Sequence, residues 1–278
     1  MIEVHAGGLA EKWPRPEILV KIPLDELGSC MGALRSGTTG VELVDVFHAG
    51  NLHPEWRGEL SKWLEVLGQV AGPVSVHAAH MGLNHLCWDA GIRQVTLARY
   101  MNAISLARQV GARLVVFHSL YNPLLRGRDD TLWVAKSLEF WESLLPLAEE
   151  MDACFVIENC WEDRPDHIVA LLDAVGSPRL KACLDIGHVN VWSSLSPVAW
   201  IQALGGRLRH IHLHDNHARY DEHLAVGKGC IDFRAVFDAL TINGAASGSP
   251  VSFALEVQNY EETIFSLRSL GWLAVLEG

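Results

Sequence analysis

Between Arg209 and Gly229 the chain reads Arg-His-Ile-His-Leu-His-Asp-Asn-His-Ala-Arg-Tyr-Asp-Glu-His-Leu-Ala-Val-Gly-Lys-Gly. His210, His212 and His214 alternate with Ile211 and Leu213, and the two-residue period of a β-strand sends the imidazoles to one face and the aliphatic side chains to the other. Imidazole is the commonest metal ligand among side chains, so several on one face suggest a metal site. Asp221 and His223 add a carboxylate and another imidazole just downstream. Any one of these residues is as readily a hydrogen-bonded core histidine or a solvated one. The set as a whole is not explained that way.

The same chemistry recurs at the ends of other apolar runs. Val74–His77 ends in His77, Leu114–His118 in His118 and Ala182–Asp185 in Asp185; Glu158 follows Phe155-Val156-Ile157, and Glu256 follows Phe253-Ala254-Leu255. A lone carboxylate after such a run is often only a helix N-cap. Six strands delivering His, Asp or Glu to one rim are a different matter, because clustered carboxylates cannot all stay ionised without compensation. A divalent cation supplies it. Glu158, Asp185, His212 and Glu256 form a mostly oxygen set that suits Mn²⁺, Mg²⁺, Co²⁺ or Zn²⁺. Adding His77, His118, His188, Asp221 and His223 makes the set nitrogen-rich and favours Zn²⁺. The residues alone leave the number of ions open, one or more than one.

The elements that must position these residues form eight rounds of strand and helix. Strands are expected at Ile18–Leu24, Val41–Phe47, Val74–His77, Leu114–His118, Cys154–Asn159, Ala182–Asp185, His210–His214 and Val251–Val257. Helical patterns lie at Pro54–Val70, Arg93–Val110, Thr131–Glu150, Asp166–Val175, Pro197–Leu204, Phe233–Leu240 and Glu261–Val275. That count in 278 residues predicts an α/β fold, a TIM (β/α)8 barrel, with residues 1–278 as one domain and function at the C-terminal ends of the strands. A doubly wound sheet is the competitor, but no Gly-rich phosphate loop follows the first strand.

Composition narrows the partners. A net charge of −11 argues against binding nucleic acid by bulk electrostatics. No apolar run reaches the roughly 20 residues of a membrane span, and no signal-peptide pattern opens the chain, so a cytoplasmic protein without a membrane partner is expected. The six cysteines have no framework spacing and are expected to be reduced. The composition leaves room for a homo-oligomer.

These motifs resemble the xylose isomerase-like TIM barrels, a superfamily of sugar and sugar-phosphate isomerases and epimerases that also takes in the endonuclease IV type of abasic-site nuclease. The resemblance rests on specific motifs from Val74 to Gln258. It implies a metal quartet at Glu158, Asp185, His212 and Glu256, with the two glutamates also serving as the acid/base pair. The trinuclear zinc site of the endonuclease IV type further implies His77, His118, His188, Asp221 and His223 as ligands. The surrounding signatures depart from that nuclease: His80 stands where it favours Tyr, Ile186 where it favours Thr or Ser, and His214-Asp215-Asn216-His217 replaces its Asn-acid-small-Lys run. DNA is therefore the disfavoured partner.

The expected activity is a divalent-metal-dependent sugar or sugar-phosphate isomerase or epimerase, in which Glu158 and Glu256 transfer a proton next to a carbonyl. His188 is expected to bind a substrate hydroxyl, and Trp88, Trp161 and Trp192 to stack on the sugar. The alternatives are a trinuclear zinc phosphodiesterase and a non-catalytic sugar-binding barrel.

Overall fold

The computed structural model describes residues 17–21, 39–44, 64–123, 130–247 and 251–272. Eight strands form the sheet: β1 (Glu17–Lys21), β2 (Gly40–Leu43), β3 (Val74–His77), β4 (Leu114–His118), β5 (Cys154–Glu158), β6 (Leu180–Asp185), β7 (Leu208–Leu213) and β8 (Ser252–Leu255). Each pairs in parallel with the next and β8 pairs with β1, which closes a TIM barrel. The helices are α1 (Ala90–Val110), α2 (Asp130–Glu150), α3 (Asp166–Val175), α4 (Ile186–Trp192), α5 (Pro197–Leu204), α6 (Phe233–Ser247) and α7 (Tyr260–Ser269). The strand residues expected at 22–24 and 45–47, and the helical pattern from Pro54 to residue 63, lie outside the described residues; 64–67 are helical.

Strand alternation splits the core in two. Val115, Phe117, Phe155, Ile157, Leu184, Ile211 and Phe253 belong to the cluster that joins strands to helices, where Phe117 meets Tyr100 at 4.6 Å and Trp141 at 5.2 Å between ring centroids. Each such ring, fully buried, contributes roughly 2–3 kcal/mol. Leu114, Val116, Val156 and Cys183 form a separate cluster on the other face of their strands. His118 and Glu158 continue that inward register, so the apolar plug supports the polar rim.

Helix ends follow the sequence chemistry. Asp89 caps α1 through the amides of Gly91 and Ile92, and Gly111 closes it in the left-handed conformation at φ 72°. α4 was not expected as a helix; it starts directly at the end of β6 because Asp185 accepts from the His188 amide at 2.6 Å. α6 continues past Leu240, and α7 ends at Ser269 with Gly271 at positive φ just beyond. Among the described residues no helix is long and apolar enough to cross a membrane, and Cys87, Cys154, Cys160, Cys183 and Cys230 are all free thiols.

Candidate metal centre

The C-terminal ends of β5, β6, β7 and β8 place Glu158, Asp185, His212 and Glu256 around one point. Nδ1 of His212 lies 3.3 Å from Oε1 of Glu158, 3.7 Å from Oδ2 of Asp185 and 3.6 Å from Oε1 of Glu256. Ligands bonded to one ion at about 2.1 Å stand about 3.0–3.4 Å apart, so small side-chain adjustments let these four atoms share a cation. Both ring nitrogens of His212 and Oε1 of Glu256 are buried without a hydrogen-bond partner, and an ion held by Nδ1 and Oε1 relieves two of these three atoms. Asn159 fixes the Asp185 backbone with two hydrogen bonds: its side-chain amide donates to the Asp185 carbonyl at 3.0 Å, and its side-chain oxygen accepts from the Asp185 amide at 2.8 Å.

Two further groups of donors flank this point. His77 and His118 approach Oε2 of Glu158 at 3.0 and 3.2 Å, and the His80 ring stacks on His118 at 3.9 Å. On the other side, His188 and His223 approach Oδ2 of Asp221 at 3.3 and 3.0 Å. His214 lies 3.1 Å from both Asp185 oxygens and stacks on His223 at 4.0 Å. In each group, His77/His80/His118 and His188/His214/Asp221/His223, the potential ligand atoms lie within 4.8 Å of one another. All nine expected ligands therefore meet at one rim.

The loop that carries Asp221 and His223 is held by Asp215. Its carboxylate accepts from the amides of Gly227, Gly229 and Ile231 at 3.0, 2.8 and 3.2 Å, while its backbone pairs with Leu224. The Gly227-Lys228-Gly229 segment that ends this histidine-rich stretch is thus part of the site's scaffold. A Cβ on Gly229 would collide with the Asp215 carboxylate and the Asn216 backbone.

Electrostatics fit cation binding. Burial alone would raise the carboxyls of Glu158 and Asp185, but His118 and His212 around the first, and His188 and His214 around the second, hold both well below the usual range. Burial would lower His212, yet Cys183, Glu256, Glu158 and Glu42 around it keep it well above its ordinary value. Burial, reinforced by His118 and His77, pushes His80 down to about 2, so it offers a neutral nitrogen. Without a metal, protons on imidazoles balance the carboxylates; a cation can replace them.

A cavity of about 680 Å³ opens over the site, with Lys21, His77, Trp161, Trp192, His223 and Glu256 on its wall. Trp161 and Trp192 line this cavity. Trp88 does not: it stands 96% exposed just before α1, beside Arg93 and Phe140 in another cleft, because the β3–α1 loop carries it outside the rim. A cavity of about 570 Å³ beside α2 and α3, lined by Tyr121, Val134 and Leu138, holds none of the clustered donors.

Several site residues were missed in the sequence. Lys21 reaches the cavity from β1, and Cys160 sets its Sγ 2.8 Å from Nδ1 of His118. Glu42 is fully buried inside the barrel, and its signal was present: Val41-Glu42-Leu43 alternates like the other strands, with the acid at an inward position.

The sequence profile described as a xylose isomerase-like TIM barrel matches residues 33–270. An uncharacterized protein of Methanocaldococcus jannaschii, MJ1311, is 27% identical over 174 residues, which are 60% of this chain and 59% of that protein; the match thus spans well under two thirds of the relative. Among solved structures, a D-tagatose 3-epimerase-like protein superposes with a TM-score of 0.72 at 21% identity, covering 94% of this chain and 98% of the other. The TTHB071 protein from Thermus thermophilus, soaked with ZnCl2, gives 0.71 at 24% identity over 94% and 99%. D-psicose 3-epimerase from Clostridium cellulolyticum H10, solved with D-tagatose, gives 0.68 at 16% over 95% and 97%. At these identities the likeness speaks for the fold. With a profile match over most of its length and a closed eight-stranded barrel, the chain belongs to the xylose isomerase-like TIM-barrel family.

Proposed function

We propose that this protein is a divalent-metal-dependent sugar or sugar-phosphate isomerase or epimerase. The observation that carries this reading is the position of His212 Nδ1 among the Glu158, Asp185 and Glu256 carboxylates, of which Glu158 and Glu256 line a cavity large enough for a sugar. The resemblance to structures named as sugar 3-epimerases supports it.

Glu158, Asp185, His212 and Glu256 would hold the ion, which when bound supplies Lewis acidity toward carbonyl and hydroxyl oxygens. Glu158 ends β5 and Glu256 directly follows β8, three places round the barrel, and both line the cavity. One carboxylate takes the proton from the carbon beside the carbonyl, and the other returns a proton. Return to the opposite face inverts that carbon. His188, fixed by Nδ1 against the Asn159 carbonyl at 2.8 Å, sets its other nitrogen 3.3 Å from Asp221 at the cavity wall, where it would meet a substrate hydroxyl. Trp161 and Trp192 offer apolar faces to the sugar ring.

Solvent exchange tests this reading. In D2O with Mn²⁺, Co²⁺, Mg²⁺ or Zn²⁺, deuterium should enter the carbon-bound position next to the carbonyl of at least one of a panel of ketoses and their phosphates. No exchange in any pair of sugar and metal removes the proposal.

A second reading rests on the two flanking donor groups, which give the site capacity for more than one ion: a trinuclear zinc phosphodiesterase. It requires close to three zinc ions per chain and nicking of an abasic-site duplex that EDTA and His118→Ala abolish. A fully zinc-loaded protein that leaves the duplex intact removes it.

A further inference from the structure

Inside the barrel, on the side of His212 away from the three carboxylates, is a second polar group formed by different residues. Glu42 of β2, Ser75 of β3, His210 of β7 and Ser252 of β8 are all fully buried. The Ser75 hydroxyl donates to Oε2 of Glu42 at 2.6 Å. Nε2 of His210 lies 3.2 Å from the same oxygen, and the other ring nitrogen of His210 pairs with Ser252 at 2.7 Å. Oε1 of Glu42 lies 3.0 Å from Nε2 of His212, a charge contact in which the two atoms do not align as a hydrogen bond.

Branched aliphatic side chains normally fill a barrel at this level. A carboxylate here is costly to bury, and the structure surrounds it with a hydroxyl and two imidazoles instead of removing it. Glu42 does not line the cavity, so it does not meet a substrate. Its distinctive contact is His212, whose two ring nitrogens face opposite ways: Nδ1 toward Glu158, Asp185 and Glu256, and Nε2 toward Glu42.

We infer that Glu42 is a positioning residue for the metal centre: it holds the His212 proton on Nε2 and so presents the Nδ1 lone pair to the cation. A metal-bound neutral imidazole keeps one proton, and an anionic acceptor behind the ring decides which nitrogen carries it. Ser75 and His210 hold the carboxylate in place. The role rests on the proposed ion at His212.

The test compares wild type with Glu42→Gln, which keeps the shape and an acceptor oxygen but removes the charge. Metal-free proteins are titrated with Zn²⁺ and Mn²⁺ by calorimetry, and ¹⁵N-histidine spectra read the His212 tautomer, assigned with His212→Gln. The expected result is a 10- to 100-fold weaker ion affinity at the central site of the variant. In zinc-loaded wild type, the His212 proton should be on Nε2. Unchanged affinity in the variant, or a proton on Nδ1 in the loaded wild type, overturns the role while leaving the metal reading intact. A wild type that binds no divalent ion overturns both. Should Glu42→Gln fail to fold, Ser75→Ala removes the 2.6 Å contact on the carboxylate and should weaken binding several-fold; an unchanged affinity there overturns the role equally.

Discussion

Gly187, in the first turn of α4, lies flat against the imidazole of His214, so closely that a methyl group on its α-carbon would overlap the ring. The glycine is what lets His214 reach Asp185 at 3.1 Å. Gly187→Ala should force the ring aside and destabilise the protein by about 1–3 kcal/mol. It should also weaken ion binding at the His188/Asp221/His223 group. Thermal melting and metal content check the two effects, and an alanine variant with wild-type values in both would refute the packing argument.

Asp215 bonds three backbone amides of the loop that presents Asp221 and His223. Asp215→Ala leaves those donors without their acceptor and should cost roughly 3 kcal/mol. Hydrogen exchange at Gly227 and Gly229 should accelerate relative to exchange in the barrel strands. Uniform protection would show that the loop does not depend on this carboxylate.

His85 gives an acid-side pH dependence separate from the metal centre. Burial lowers its pKa to about 4 from an ordinary value near 6.5, and its Nε2 pairs with the Ser137 hydroxyl at 2.8 Å. Between these values the unfolded chain binds the proton and the folded chain does not, so folding stability falls as pH drops from about 6.5 to 4 and the effect levels off below. The full difference is about 3 kcal/mol. His85→Gln removes the titration, so the gap between wild type and variant should change across that window in denaturant midpoints. Parallel curves would refute it.

Glu158→Gln and Glu256→Gln should each slow carbon-bound proton exchange by about 10²- to 10⁴-fold. Metal content measured on the same samples separates loss of proton transfer from loss of the ion. Full exchange in either variant would exclude that residue as an acid/base.

Much of this was legible because a barrel strand makes depth and direction follow from position. The alternation that puts Phe117 outward puts His118 inward, and the same rule brings Glu158, Asp185, His212 and Glu256 to one rim. Glu42 obeys that rule too, but attention to strand ends passes over an acid lying deeper in the barrel. His80 stacks on His118, a contact between elements that no spacing encodes, whereas His214 was legible in the His210-His212-His214 alternation and only its stacking on His223 was not. Trp88 shows the opposite failure: a loop's position in the chain says which strand it follows and not which way it runs, and this one carries its indole away from the cavity. Asp185, readable as either a helix cap or a ligand, serves as the cap of α4 and stands among the candidate ligands at once.

Anomalous diffraction from crystals soaked in Mn²⁺ tests the metal centre most directly. The expected result is a peak bonded to one carboxylate oxygen each of Glu158, Asp185 and Glu256 and to Nδ1 of His212. No peak among those four residues at saturating Mn²⁺ would contradict it.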